Sequence, residues 1–171
     1  MKLFTIIESF GSAQGDGWSS YIEWRGLPFD RFDSIDGILS PSLFTPESEE
    51  DWKHVFPESC MTHLITDYKY AAQKRSQMQS GDIVGLRLDD HDESDAAFLG
   101  YDLIDGSFDV SLLTNWGNDV DSINRALGPT ALIQSLSVVH SIQTHLLSTC
   151  DEDAHVDGCR IVSIYSTADT R

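Results

Sequence analysis

The densest group of side chains that could do chemistry lies at residues 89–95, where five carboxylates and one histidine occur within seven positions. Hard cations such as calcium bind oxygen ligands, so this segment is the first candidate for a cation site. An EF-hand loop, however, sets its acids at fixed positions around a central glycine and ends in a distal glutamate. Neither residues 89–95 nor the second acidic segment, 151–158, follows that pattern. We therefore predict no metal site.

The histidines and cysteines are not spaced for metal binding either. His140 and His145 are five residues apart, which directs them to different faces of a helix, whereas zinc-binding pairs on helices share a face. Cys60, Cys150 and Cys159 lack the spacing of zinc motifs, and we expect buried free thiols. A pairing of Cys150 with Cys159 across the acidic segment stays open.

Sequence motifs of nucleophilic catalysis and of phosphate binding are absent. The chain has no G-x-S-x-G elbow, and its glycine-rich segment 11–17 lacks the Gly-Lys-Ser/Thr of a phosphate-binding loop. We therefore predict no catalytic residue and no cofactor. An enzyme whose site is assembled only in the fold stays an alternative, because catalytic partners meet in space rather than in sequence.

The charge balance indicates the kind of partner. The chain of 171 residues has 28 acidic against 11 basic residues, a net charge of −17. Such a charge repels nucleic-acid phosphates and anionic membranes, and it attracts basic proteins. We expect no direct nucleic-acid binding, no membrane binding and a basic protein partner. The alternative is that the charge serves solubility alone.

Acidity is concentrated between Leu88 and Asn124, where 37 residues contain ten acids and no lysine or arginine. Aromatic residues are interspersed, and aromatic anchors beside carboxylates are typical of a surface that binds a basic protein. The alternative is that these aromatics belong to the core. We predict the following partner-binding residues: Asp89, Asp90, Asp92, Glu93, Asp95, Asp105, Asp109, Trp116 and Asp119.

Hydrophobic periodicity predicts the elements that must position these residues. The predicted strands span 2–10, 18–24, 83–88, 98–104, 110–113 and 160–166, and the predicted helices span 45–56, 67–79, 118–127 and 129–147. Thr45 and Pro46 are expected to start the first helix and Pro129 the last. Strands at both ends with helices between them predict a single α+β domain over residues 1–171. We expect a mostly antiparallel sheet that helices cover mainly on one face.

The N-terminal apolar run is too short for a secretory signal. Glu8 interrupts it after a few residues, whereas a signal peptide needs about 7–15 apolar residues. No stretch approaches the roughly 18 apolar residues of a membrane span. We therefore expect a cytoplasmic protein.

Residues 99–106 read Leu-Gly-Tyr-Asp-Leu-Ile-Asp-Gly, and residues 111–117 read Ser-Leu-Leu-Thr-Asn-Trp-Gly. A predicted short helix, an amphipathic helix, a polar loop and a final strand at 161–165 follow. Over residues 80–166 this succession resembles a group of bacterial immunity proteins. These are the cytosolic antidotes encoded beside polymorphic toxins, including toxins delivered by type VI secretion or by contact.

The resemblance implies an inhibitor that binds its toxin one-to-one and has no catalysis of its own. An acidic inhibitor of this kind suits a nuclease or another basic effector. No toxin-contacting residue follows from the resemblance, because immunity interfaces differ from pair to pair. Two other classes stay open: an acidic mimic of nucleic acid of the anti-restriction type, and an enzyme or metal-binding protein.

Overall fold

The computed structural model describes residues 1–7, 42–60, 62–88, 91–114, 120–128, 130–149 and 156–167. Four strands and four helices follow one another along these residues. They are β1 (Lys2–Ile7), α1 (Glu49–His54), α2 (Tyr68–Ser76), β2 (Asp82–Arg87), β3 (Phe98–Ile104), α3 (Val120–Ala126), α4 (Leu136–Thr149) and β4 (Arg160–Ser166). The predicted strand 18–24 and the end of the first strand, residues 8–10, lie outside the described residues.

The four strands form one antiparallel sheet in the order β1-β2-β4-β3. The two central strands, β2 and β4, consist largely of apolar residues on both faces, which is the pattern of strands buried on both sides. With four helices accompanying this sheet, the predicted α+β class is confirmed.

Helices cover one face of the sheet. On that face α3 and α4 pack against Tyr101, Leu103 and Ile161, while α2 packs against Ile6 through Ala71. In the described part of the chain, the opposite face is covered by side chains from connecting segments rather than from helices. The buried residues of that second layer are Leu3, Ile7, Val84, Leu86, Ile104, Val162 and Ile164 from the strands, with Phe56, Leu64, Leu88, Phe108 and Leu132 from the connections.

Short segments also pair with the two outer strands. At β1, the backbone N–H of Phe4 donates to Ile65 (2.8 Å) and the N–H of Ile65 donates back to Phe4 (2.7 Å). At β3, Tyr101 and Ile133 exchange the same two hydrogen bonds, at 2.7 and 2.9 Å. Each outer strand therefore has a backbone partner at its middle.

The pairing at Ile133 explains why the last helix begins later than predicted. Residues 130–135 continue the apolar period of α4, which predicted a helix from Pro129. In the structure the backbone of Ile133 is hydrogen-bonded to Tyr101 of β3, so the helix begins only at Leu136. Residues 110–113 similarly contribute only one bridge, between Ser111 and Ile104, instead of the predicted strand.

The start of α1 also differs from the prediction. Ser48, rather than Thr45, is the N-cap, because Ser48 and Asp51 form a reciprocal capping box. The Ser48 hydroxyl accepts from the Asp51 N–H at 3.1 Å, and the Asp51 carboxylate accepts from the Ser48 N–H at 2.8 Å. The helix ends at His54, before Pro57 as predicted.

Candidate protein-binding surface

The acidic segment that follows β2 is attached to the helix-covered face of the sheet. The Tyr165 hydroxyl accepts from the Asp92 N–H (3.0 Å) and donates to the Asp92 carbonyl (3.1 Å). The ring of His91 is hydrogen-bonded through Nδ1 to the Ser163 hydroxyl at 2.9 Å. Of the predicted residues in this segment, Asp89 and Asp90 lie outside the described residues. The remaining acids are thus presented by a segment anchored at several points.

Asp92 is exposed and held in its charged form. Its Oδ1 accepts from the backbone N–H of Ser94 at 3.1 Å and from the Ser94 hydroxyl at 2.6 Å. These hydrogen bonds stabilise the carboxylate and lower the pKa of Asp92 below its ordinary value. Asp92 therefore suits the predicted role of a surface charge.

Glu93 is also exposed, and it joins the acidic segment to β3 and α4. Its Oε1 accepts from the Tyr101 hydroxyl at 2.8 Å and lies 3.4 Å from the N–H of Leu136, the first residue of α4. A carboxylate is favourable there, because the N-terminal end of a helix carries partial positive charge. Burial, followed by the bond to Glu93, raises the pKa of Tyr101 well above its ordinary value.

Asp95 has its charge compensated within the fold. Its Oδ2 lies 2.7 Å from the guanidinium of Arg87, and its Oδ1 accepts from the Ala97 N–H at 3.0 Å. The same guanidinium stacks over the ring of Tyr165, at 4.0 Å from its centroid. Asp95 therefore offers less free charge to a partner than Asp92 and Glu93.

The expected exposure of Asp105 and Asp109 is wrong, since they are only 2% and 6% exposed. Asp105 accepts from the backbone N–H groups of Asp109 (2.9 Å) and Val110 (3.2 Å), and Asp109 accepts from the N–H of Thr62 (3.1 Å). Asp105 thus satisfies backbone donors of the loop after β3, and Asp109 attaches that loop to the segment between α1 and α2. Trp116 and Asp119, the other predicted contacts in this region, lie outside the described residues.

The structure exposes an aromatic side chain on α1 that was not among the predicted binding residues. Trp52 on α1 is 56% exposed and packs edge-on against the ring of His63 at 5.8 Å. Glu49 and Glu50, on the same helix, are exposed as well. A usable signal was present in the segment EEDWKH, where tryptophan is the only large apolar residue of a short polar helix. We call Glu47, Glu49, Glu50 and Trp52 the α1 surface.

Most described cations are engaged by the protein itself. Arg75 and Arg125 donate to backbone carbonyl oxygens of Gly81 and Asp121, respectively. Four more form ion pairs, namely Lys53 with Glu50, Lys74 with Asp51, Arg87 with Asp95 and Arg160 with Glu58. Among the described acids, Asp92, Glu93, Glu47 and Glu49 are exposed and lie outside these ion pairs.

One polar cluster, in which Asp51 is buried and Tyr70 and Lys74 are half-buried, joins α1 to α2. Asp51 accepts hydrogen bonds from the Tyr70 hydroxyl and from the Lys74 ammonium group. These bonds, the one from Lys74 first, lower the pKa of Asp51, while the bond to Asp51 raises the pKa of Lys74. Burial and then Asp51 raise the pKa of Tyr70. Each shift favours the form that the group ordinarily has at neutral pH, namely the carboxylate, the neutral phenol and the ammonium group.

Two features are absent from the described ranges of the chain. No group of three or more His, Cys, Asp and Glu side chains there is arranged to hold a metal ion. Within those ranges, too, every helix is too short or too polar to cross a bilayer.

The chain was compared with known proteins at the levels of family, sequence and structure. No protein family, no curated protein and no solved structure matches it.

Proposed function

We propose that this chain is an immunity protein, which binds a basic toxin one-to-one and neutralises it by covering the surface through which the toxin acts. The observation that carries the proposal is the set of exposed acids that lie outside the ion pairs of the fold, Asp92, Glu93, Glu47 and Glu49, in a chain of net charge −17. The resemblance over residues 80–166 is the reason for choosing immunity proteins as the biological class. A nuclease is the partner chemistry that fits best, because nucleases need positive charge to hold phosphates.

Two exposed acidic groups would contribute to recognition in different ways. Asp92 and Glu93 project from an anchored segment and would steer a basic partner toward the protein. The α1 surface adds Trp52, and tryptophan is enriched among residues that dominate binding energy. Charges would therefore set the association rate, while the tryptophan would set the lifetime of the complex.

The proposal is tested by purifying the chain together with the product of the neighbouring gene. We expect a one-to-one complex by size-exclusion chromatography with light scattering, and loss of the toxin's activity at equal molar ratio. Association measured by stopped flow should slow as salt rises. Absence of a complex at low salt, or a complex that leaves the toxin active, would contradict the proposal. Binding to a DNA-binding protein instead would favour the nucleic-acid mimic.

Charge-reversal variants measure the contributions of the two acidic groups to association separately. The double variants Asp92→Lys with Glu93→Lys, and Glu47→Lys with Glu49→Lys, change the net charge equally. A matched control combines Asp82→Lys with Asp157→Lys, at exposed acids elsewhere. The variant within the interface should slow association about tenfold or more beyond the control. Equal rates for all three would show that only net charge matters.

A further inference from the structure

A cleft of about 280 Å³ opens on the helix-covered face of the sheet, next to α2 and the acidic segment. Its base includes Gly85 in the middle of β2. Phe4 and Tyr68 line one side of it, and Tyr165 lines the other. Sheet faces beneath helices are normally filled by side chains, so an open space here needs a cause.

The cleft is open because residue 85 is glycine, and the fold does not require glycine there. Its φ lies outside the left-handed region, and a Cβ would meet its nearest neighbours, on Phe4 and Thr167, at an ordinary 3.7 Å. Glycine inside a strand lowers stability, and it often marks a place where another molecule approaches the backbone. A side chain at position 85 would stabilise the strand and occupy the cleft.

Aromatic side chains flank Gly85 on both neighbouring strands. Phe4 is paired directly with Gly85 across β1 and β2, and Tyr165 is paired with Gly85 across β2 and β4. The Cα atoms of the two aromatic residues are thus two strand spacings apart, roughly 10 Å. The guanidinium of Arg87 already stacks on Tyr165, whereas Phe4 and Tyr68 line the other side of the cleft. An aromatic group in the cleft would therefore pack on the backbone of Gly85 beside Phe4 and Tyr68.

Positive charge lies at one end of the cleft. Lys2 and Arg87 are directly opposite each other on neighbouring strands, and both line the cleft. Like charges in such a pair repel each other and destabilise the sheet. Asp95 offsets the charge of Arg87, and the three groups together leave one net positive charge in a protein of net charge −17. An anion in the cleft would neutralise that remaining charge.

We propose that this cleft binds a small aromatic carboxylate. The ring packs over Gly85 beside Phe4 and Tyr68, and the carboxylate accepts a hydrogen bond from the Lys2 ammonium group at the end of the cleft. The site is separate from the proposed inhibition of a toxin, and either can be tested without the other.

The first experiment uses 2-naphthoate as the probe and follows the Gly85 amide of the full chain by ¹⁵N–¹H NMR. We expect saturable shifts at Gly85 and its strand neighbours. The neutral 2-naphthamide and the non-aromatic cyclohexanecarboxylate should each bind about tenfold more weakly, since each lacks one of the two interactions. Equal affinity for all three compounds, or shifts that do not saturate, would overturn the proposal.

Variants distinguish loss of the site from loss of the fold. Gly85→Val should abolish naphthoate binding while the melting temperature stays the same or rises. Lys2→Gln should weaken binding of naphthoate but not of naphthamide, whereas Lys69→Gln, an equal charge change on α2, should alter neither. Naphthoate binding to Gly85→Val at unchanged affinity would refute this assignment of the cleft.

Discussion

The carboxylate of Asp51 on α1 and the ammonium group of Lys74 on α2 form an ion pair whose acidic member is only 2% exposed. The other carboxylate oxygen, Oδ2, accepts from the N–H groups of Glu47 and Ser48 and from the Ser48 hydroxyl, at 2.7–3.0 Å. One side chain thereby caps α1 and attaches it to α2. A buried carboxylate with so many donors is stabilised in its charged form.

Asp51→Asn should therefore lower the melting temperature by several degrees at neutral pH. The lowered pKa of Asp51 contributes stability that is fully present above the ordinary carboxyl pKa of about 3.9 and is lost as the pH falls below it. The difference between wild type and variant should accordingly stay constant from about pH 7 to about pH 5 and shrink progressively as the pH falls further. Thermal unfolding followed by circular dichroism measures both effects. Glu49→Gln, at an exposed acid of the same helix, is the control and should change little.

Gly100→Ala should destabilise the protein by about 1–3 kcal/mol. Gly100 has a φ of +148°, and a Cβ there would lie 2.6 Å from Cβ of Leu132, in the segment that pairs with β3. The backbone and the neighbouring segment would both have to move. Urea denaturation measures the change. Gly106→Ala is a suitable comparison, because its added Cβ would meet nothing closer than 3.5 Å; equal losses in the two variants would contradict the steric explanation.

Tyr101→Phe should make the protein less sensitive to alkali. The raised pKa of Tyr101 keeps the folded phenol neutral, so its contribution is fully present below the unfolded pKa of about 10 and is lost as the pH rises through the folded value. The variant lacks this ionisation, and its unfolding free energy should fall less between about pH 9 and about pH 11. At neutral pH it should lose only about 0.5–1.5 kcal/mol, for one hydrogen bond to Glu93. If the unfolding free energies of the wild type and the variant fell equally with rising pH, the role of Tyr101 would be refuted.

Cys159 should resist alkylation in the native protein. Its thiol is free, the residue is 7% exposed, and burial raises the pKa of the thiol, which lowers the reactive thiolate fraction. Cys60 is exposed and should react first. Iodoacetamide labelling with peptide mass spectrometry assigns each rate to its own cysteine. Similar rates at Cys60 and Cys159 without denaturant would argue against the burial seen here.

Periodicity predicted the strands better than the helix starts. Strands 98–104 and 160–166 have their predicted bounds, since apolar runs of strand length end there at polar or glycine-containing turns. The start of α4 could not be read from periodicity, because residues 130–135 have helical spacing but use their backbone to pair with β3. Tertiary hydrogen bonds of this kind leave no local signal.

Side-chain exposure was harder to predict than secondary structure. Acidity correctly indicated that Asp92 and Glu93 face solvent, but it failed at Asp105 and Asp109, whose carboxylates serve buried backbone donors. Among the cysteines, Cys159 is a buried free thiol as predicted, whereas Cys60 is exposed. A residue type gives an average preference, and the local supply of hydrogen-bond donors decides the individual case.

The pairing of both outer strands, β1 with Ile65 and β3 with Ile133, also bears on how molecules of this protein meet one another. Unpaired strand edges act as templates on which further chains add, which leads to domain swapping and fibril growth. Here the middle of each edge is already occupied by a segment of the same chain. Strand addition would first have to displace Ile65 or Ile133. Mutations that destabilise either of these two segments should therefore be the first to cause edge-to-edge aggregation.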